Sequence, residues 1–240
     1  MGFCSSRCIV LRTVKYGDNR LIVDLLSREE GRLSVAVKTG SRGKGGGMRQ
    51  LFQPLNILDL EYNRTPRSQV AQLGEAHICE TYSSLPFDGV KMSVAFFVAE
   101  LLGYATRDLH ADARLYDFIE RSLLWLDMAD GGVANFHLML MMHLTRFLGF
   151  QPDVDGYADG CLFDMRDGAF CHTVPLHGDF LSPDEARKML TLMRMSAHNM
   201  HLFRMSRDER NRATDLLLRF YGIHLPSFGD MKSLPVLRSL

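Results

Sequence analysis

Apolar and polar positions alternate along the front of the chain and change to helical spacing behind it. The segment from Cys8 to Val14 is β-branched and apolar, and Tyr16 to Asn19 then supplies turn chemistry. Leu21 to Leu26 reads as a second strand. Arg28 to Arg32 makes the next turn, and Leu33 to Val37 is a third strand with alternating faces. Both gaps are of hairpin length, so the three strands are expected to form an antiparallel meander. A segment rich in glycine and basic residues, Lys38 to Arg49, is predicted to be a flexible surface loop. The apolar pattern returns from Leu51, with a long strand expected over Leu55 to Tyr62. A turn at Asn63 to Arg67 and a fifth strand over Ser68 to Leu73 follow. Five short strands with one long loop predict a small Greek-key barrel of the OB type.

Behind Glu75 the period lengthens. Val94, Phe97, Val98, Leu101 and Leu102 lie on one helical face. A second helix is predicted over Ala113 to Met128, with Leu115, Phe118, Ile119 and Leu123 facing inward. A third, over Ala134 to Leu148, is apolar nearly all round and belongs at the centre of a helical domain. Gly149 is its C-cap. A short hairpin is expected over Cys161 to Cys171, turning at Arg166 to Gly168. Ser182 with Pro183 and Glu185 starts another helix through a capping box. Ser206 and Glu209 repeat the box ahead of a last helix, Arg210 to Tyr221. The fold class expected is α+β and multidomain. Residues 1–78 form an OB-fold nucleic-acid-binding barrel, and 79–240 form a helical domain with a hairpin insertion at about 155–180.

Charge sharpens this picture. The chain has 240 residues, 46% hydrophobic, and zero formal net charge. Residues 1–76 carry 12 Lys/Arg against 7 Asp/Glu, a balance of +5; the remainder carries 16 against 21, a balance of −5. A basic front part joined to an acidic remainder points to a polyanion met by the front alone, although chance also produces such splits. The candidate phosphate-binding residues are Arg12, Lys15, Arg20, Arg28, Lys38, Arg42, Lys44, Arg49, Arg64 and Arg67. Tyr16, Phe52 and Tyr62 are candidate stacking platforms for bases, or else core residues. No apolar run approaches the roughly 18 residues of a membrane span, and no signal-peptide pattern opens the chain, so a cytoplasmic protein is expected.

Other chemistry is thinly represented. The five cysteines, Cys4, Cys8, Cys79, Cys161 and Cys171, are expected to be reduced thiols. Cys161, Cys171, His172 and His177 flank the hairpin, but without Cys-x-x-Cys spacing they are weak zinc candidates, and packing without metal is the simpler reading. No nucleophile-elbow, His-Glu-x-x-His or clustered-carboxylate pattern appears. His137 and His143 point to different faces of their helix and read as packing or partner-facing histidines. No enzyme active site is expected.

The ordered segments resemble the RecO family. Ile9 to Leu21 is similar to that family's first hairpin. Leu26 to Lys38 resembles its second and third strands, and Arg49 to Leu60 its strand after the loop. Arg146 to Pro152 resembles the end of its central helix, and Lys232 to Leu237 its C-terminal tail. The resemblance implies a recombination mediator that binds single- and double-stranded DNA and anneals complementary strands. With RecR, such a protein helps load RecA onto DNA coated by the single-stranded DNA-binding protein. Many relatives carry a four-cysteine zinc site behind the central helix, of which this chain keeps only Cys161 and Cys171, so no cofactor is expected. Residues alone also admit an OB-fold RNA-binding factor of translation, a metal-dependent nuclease, or a non-catalytic scaffold for an acidic protein tail.

Overall fold

The computed structural model describes residues 2–39, 45–64 and 68–240. Five strands make a closed barrel: β1 (Gly2–Lys15), β2 (Arg20–Ser27), β3 (Gly31–Lys38), β4 (Ile57–Arg64) and β5 (Val70–Glu80), in the order β1-β2-β3-β5-β4. β1 is long enough to pair with two strands. Its first half pairs with β4, from Gly2 opposite Arg64 to Ile9 opposite Ile57; its second half pairs with β2, from Cys8 opposite Ser27 to Lys15 opposite Leu21. A bulge between Val10 and Arg12 turns the strand from one partner to the other. A short parallel pairing of Ser34–Ala36 with Val70–Gln72 completes the circle. Inside lie Val10, Val23, Leu25, Val35, Val37, Leu58, Leu60 and Tyr62, all essentially inaccessible.

The basic segment differs in part from its expectation. Residues 40–44 lie outside the described residues, but Gly45–Leu51 forms a helix, α1, rather than loop. A seven-residue helix is too short to hold itself, since isolated helices below about 12 residues are marginal in water. Packing supplies the rest. Met48 and Leu51 lie against the barrel core, and Phe52 enters it; burying such a ring stabilises by about 2–3 kcal/mol. The Thr13 hydroxyl donates to the Phe52 carbonyl at 2.8 Å. The next strand starts at Ile57 instead of Leu55. Leu55 sits at φ +68°, and its N–H and the Asn56 carbonyl bond the Val10 main chain at the bulge.

Compact packing divides the chain into two units. One comprises the residues up to Ala129 with Met231–Leu234; the other comprises Asp130–Asp230 with Pro235–Leu240. The first adds α2 (Gly89–Ala105) and α3 (Ala113–Met128) to the barrel, each started by an aspartate, Asp88 or Asp112, whose carboxylate accepts two helix amides. In the second, α4 (Phe136–Leu148) is buried along most of its length and packed by α5 (Pro183–Met193) and α6 (Arg207–His224). It starts two residues later than expected, after a 3-10 turn at Val133–Asn135, and ends on Gly149 at φ +85°. Both capping glutamates engage: Glu185 accepts the Ser182 N–H at 3.1 Å and Glu209 the Ser206 N–H at 2.7 Å. The hairpin is β6 (Leu162–Asp164) and β7 (Ala169–Cys171). A third strand, β8 (Phe180–Leu181), pairs with β6, and a last turn of helix, α7, covers Leu234–Leu237; neither was expected. Among the described residues no helix is long and apolar enough to cross a membrane.

Candidate nucleic-acid interface

Strand register gathers part of the basic set at one end of the barrel. β1 finishes there, β2 starts and β3 finishes. Arg20 stands directly opposite Lys38, and Lys15 opposite Leu21, one residue from Arg20. The turn between them is closed by Tyr16 N–H to the Arg20 carbonyl at 2.9 Å, and Thr39 N–H to the Asn19 carbonyl at 2.9 Å adds the third strand. Lys15, Tyr16, Arg20 and Lys38 are all exposed, as is Arg49 on α1. Among the described residues none of the four cations has a carboxylate within salt-bridge distance. Like charges held as close as Lys15, Arg20 and Lys38 repel, and an incoming chain of phosphates relieves that repulsion.

Three other candidates are paired with carboxylates of the protein itself. Arg12 makes a forked pair with Asp24, at 2.8 and 3.2 Å. Arg28 binds both oxygens of Asp117, at 2.8 and 3.2 Å, and holds that carboxyl below its usual pKa. Arg64 pairs with Glu30. Arg28 and Arg64 meet a phosphate only by giving up a carboxylate, whereas Arg12 shares Asp24 with Arg32. Arg42, Lys44 and Arg67 lie outside the described residues.

The aromatic candidates separate cleanly. Tyr16 is 65% exposed, whereas Phe52 and Tyr62 are 1% and 0% exposed. Phe52 and Tyr62 are thus core side chains, because each fills the barrel interior. The Tyr62 hydroxyl donates to Glu30 at 2.6 Å, and burial together with that carboxylate pushes its pKa far up. Of the three candidates, Tyr16 is the one that offers an exposed ring, and it stands at the basic rim.

The zinc candidates do not make a metal site. Cys161 is buried, and burial with nearby Asp164 raises the Cys171 thiol above its ordinary pKa, which disfavours the thiolate a metal needs. His177 faces Asp164 at 3.3 Å and accepts the Asp179 N–H, while His172 is exposed. Among the described residues no three His, Cys, Asp or Glu side chains come together as metal ligands. The hairpin is held by other means. Asp164 accepts the Arg166 and Asp167 amides at 2.8 and 3.2 Å, Asp179 takes Arg166 at 2.7 Å and Arg219 at 3.3 Å, and Phe163 packs on Phe170 and Phe220.

Comparison with known proteins agrees with this architecture along its length. The family model described as Recombination protein O N terminal matches residues 1–82, and that described as Recombination protein O C terminal matches residues 86–235. The chain belongs to the RecO family. It is 42% identical over 232 residues to the DNA repair protein RecO of Phocaeicola vulgatus, covering 97% of this chain and 96% of the relative. The RecO of Bacteroides fragilis is 39% identical, with 97% and 96% covered, and that of Porphyromonas gingivalis 36%, with 98% of each. Membership of this family gives the protein a role in DNA repair and recombination.

Sequence reasoning missed Arg32 and Arg107. Arg32 lies on β3 beside Arg12, sharing Asp24 at 3.4 Å, and Arg107 follows the C-terminus of α2. The alternation of β3 was a usable signal for the first, since Arg32 and Ser34 flank core Leu33 and must face outward. Nothing local marks Arg107.

Proposed function

We propose that this protein is a non-enzymatic recombination mediator whose barrel, residues 1–78, binds single- and double-stranded DNA and anneals complementary strands. In this reading it acts in the cytoplasm at the nucleoid, and residues 79–240 meet protein partners. With RecR, it helps load RecA on DNA covered by the single-stranded DNA-binding protein. The observation that carries the reading is the group of exposed cations Lys15, Arg20 and Lys38, without a carboxylate partner among the described residues, beside the exposed ring of Tyr16, with Arg49 exposed on α1. Such a rim neutralises two sugar-phosphate chains and lowers their mutual repulsion, while base pairing supplies the driving energy. Annealing therefore needs no bond-making residue. Arg42 and Lys44, in the same basic segment, extend the phosphate-binding set.

The test is strand annealing and single-strand affinity at several salt concentrations, with Lys15, Arg20, Lys38 and Arg49 all changed to Ala. Each phosphate contact on a single strand contributes roughly 0.7 to the log–log salt slope. The variant is expected to anneal slowly and to lose up to about 3 from that slope. Unchanged annealing and slope would remove the rim from the mechanism.

A further inference from the structure

Within the first unit a cleft of about 330 Å³ opens between the β1 bulge, β3 and α2. Arg12, Arg32, Arg107 and Lys232 line it, together with the rings of Phe96 and Tyr104. None of the four rim cations does. Two of these arginines share a single carboxylate. Asp24 takes Arg12 and Arg32, and its other oxygen takes the Ser34 hydroxyl at 2.7 Å. Arg107 lies over the Tyr104 ring, 5.3 Å from its centroid, with no acidic partner among the described residues. Glu100 also lines the cleft, but its oxygens are already bonded by the Lys232 and Ser233 amides and the Ser233 hydroxyl. Four cations against two carboxylates leave a surplus of two positive charges. Arg32 registers this: burial, with Arg12 and Arg107 adding to it, lowers its pKa despite Asp24.

We propose that this cleft binds a nucleotide through its phosphate monoester. A monoester carries about −1.5 to −2 charges at neutral pH, which matches the surplus, whereas an internal phosphodiester carries one. Its three oxygens suit convergent guanidinium groups, which bind phosphate through forked hydrogen bonds. Phe96, 47% exposed, gives the base a ring to lie on. The volume falls at the lower end of small-ligand sites, which run from about 300 to 1,000 Å³. A free mononucleotide and the phosphorylated end of a strand present the same chemistry.

Calorimetric titration of the full chain with dAMP, deoxyadenosine and inorganic phosphate tests the site, alongside 5′-phosphorylated and 5′-hydroxyl dA10. Binding of dAMP is expected to exceed that of deoxyadenosine and of inorganic phosphate by about tenfold or more. Arg107→Ala with Lys232→Ala, both exposed positions, is expected to lose about tenfold in dAMP affinity with its melting temperature kept. The rim variant should bind dAMP as the parent does while failing in annealing, which separates this proposal from the one above. Preference for 5′-phosphorylated over 5′-hydroxyl dA10 assigns the site to strand ends, and equal binding of the two assigns it to free nucleotides. Equal binding of dAMP and deoxyadenosine, unchanged dAMP affinity in the double variant, or tighter binding of a glutamate decapeptide than of either nucleotide probe would overturn it.

Discussion

Lys91, on the first turn of α2, donates from Nζ to the main-chain carbonyl of Asp127 at 2.8 Å, and the Asp127 carboxylate in turn caps the segment that leads into α2. That carboxylate accepts the Ser83, Ser84 and Leu85 amides at 2.9, 2.8 and 2.7 Å. Both residues are almost inaccessible. Burial alone would raise the Asp127 pKa, but the three amides outweigh it and draw it down to about 2. The folded state therefore holds the charged form more firmly than the unfolded chain does, whose aspartates titrate near about 3.9. This stabilisation, on the order of 2 kcal/mol, is complete above about pH 4 and fades as pH falls towards 2. Asp127→Asn is expected to lower stability at pH 7 by roughly 1–3 kcal/mol, with the gap to the parent closing at low pH. Denaturant unfolding at a series of pH values measures it; a gap independent of pH would refute the assignment.

Gly31 is expected to tolerate no side chain. It turns β2 into β3 at φ +74°, and an added Cβ would stand 2.9 Å from both the His110 carbonyl carbon and the Ala111 nitrogen. Both contacts are backbone, so neither yields by a rotamer change. Gly31→Ala combines a left-handed conformation, costing about 1–2 kcal/mol, with overpacking of about 1–3 kcal/mol. A fall in thermal stability worth roughly 2–4 kcal/mol should appear in calorimetry; a variant as stable as the parent contradicts the packing.

Tyr16 and Phe52 should behave oppositely. Phe52→Ala empties the barrel end and is expected to cost roughly 3–5 kcal/mol of stability. Tyr16→Ala removes an exposed ring, so the melting temperature should hold. Single-strand affinity should instead fall by about 1–3 kcal/mol, the range for one stacked base. Fluorescence anisotropy with a labelled oligonucleotide decides: a Tyr16 variant that binds like the parent eliminates base stacking at the rim.

His137 makes the second unit sensitive to mild acid. Its Nε2 lies 3.0 Å from the Thr214 hydroxyl, and burial, with the Arg210 charge behind it, lowers its pKa to about 3. Above about pH 6.5 the imidazole is neutral in both folded and unfolded chains. Below that the unfolded chain takes up a proton that the folded chain refuses until about pH 3, so stability drops as pH falls through this window. His137→Gln is expected to be less stable at pH 7 and to lose less of its stability between pH 7 and 4.5. Parallel stability curves for the two proteins across that range would count against it.

The boundaries of α3 and the capping boxes of α5 and α6 are legible in sequence because their causes are local: an apolar repeat of helical period and polar caps next to it. The barrel was legible from strand alternation and turn residues. Its closure was not, because the first half of β1, Gly2 to Ser6, has little apolar content and becomes a strand only against β4. α1 was hidden for the same reason: a glycine-rich stretch has poor helix propensity, and Phe52 anchors it from the far side of the barrel wall.

The cations themselves are in the sequence; their roles are not. Sequence order determined that the front part of the chain is basic and that its strands alternate. Tertiary structure alone decided that Arg12, Arg28 and Arg64 would find carboxylates while Lys15, Arg20 and Lys38 would stand together without one among the described residues. It also brought Arg107, 75 positions after Arg32 (107 − 32), to the cleft that Arg12 and Arg32 line. The physical reason is range: propensity and capping act within a few residues, whereas charge pairing and burial depend on which strands and helices meet.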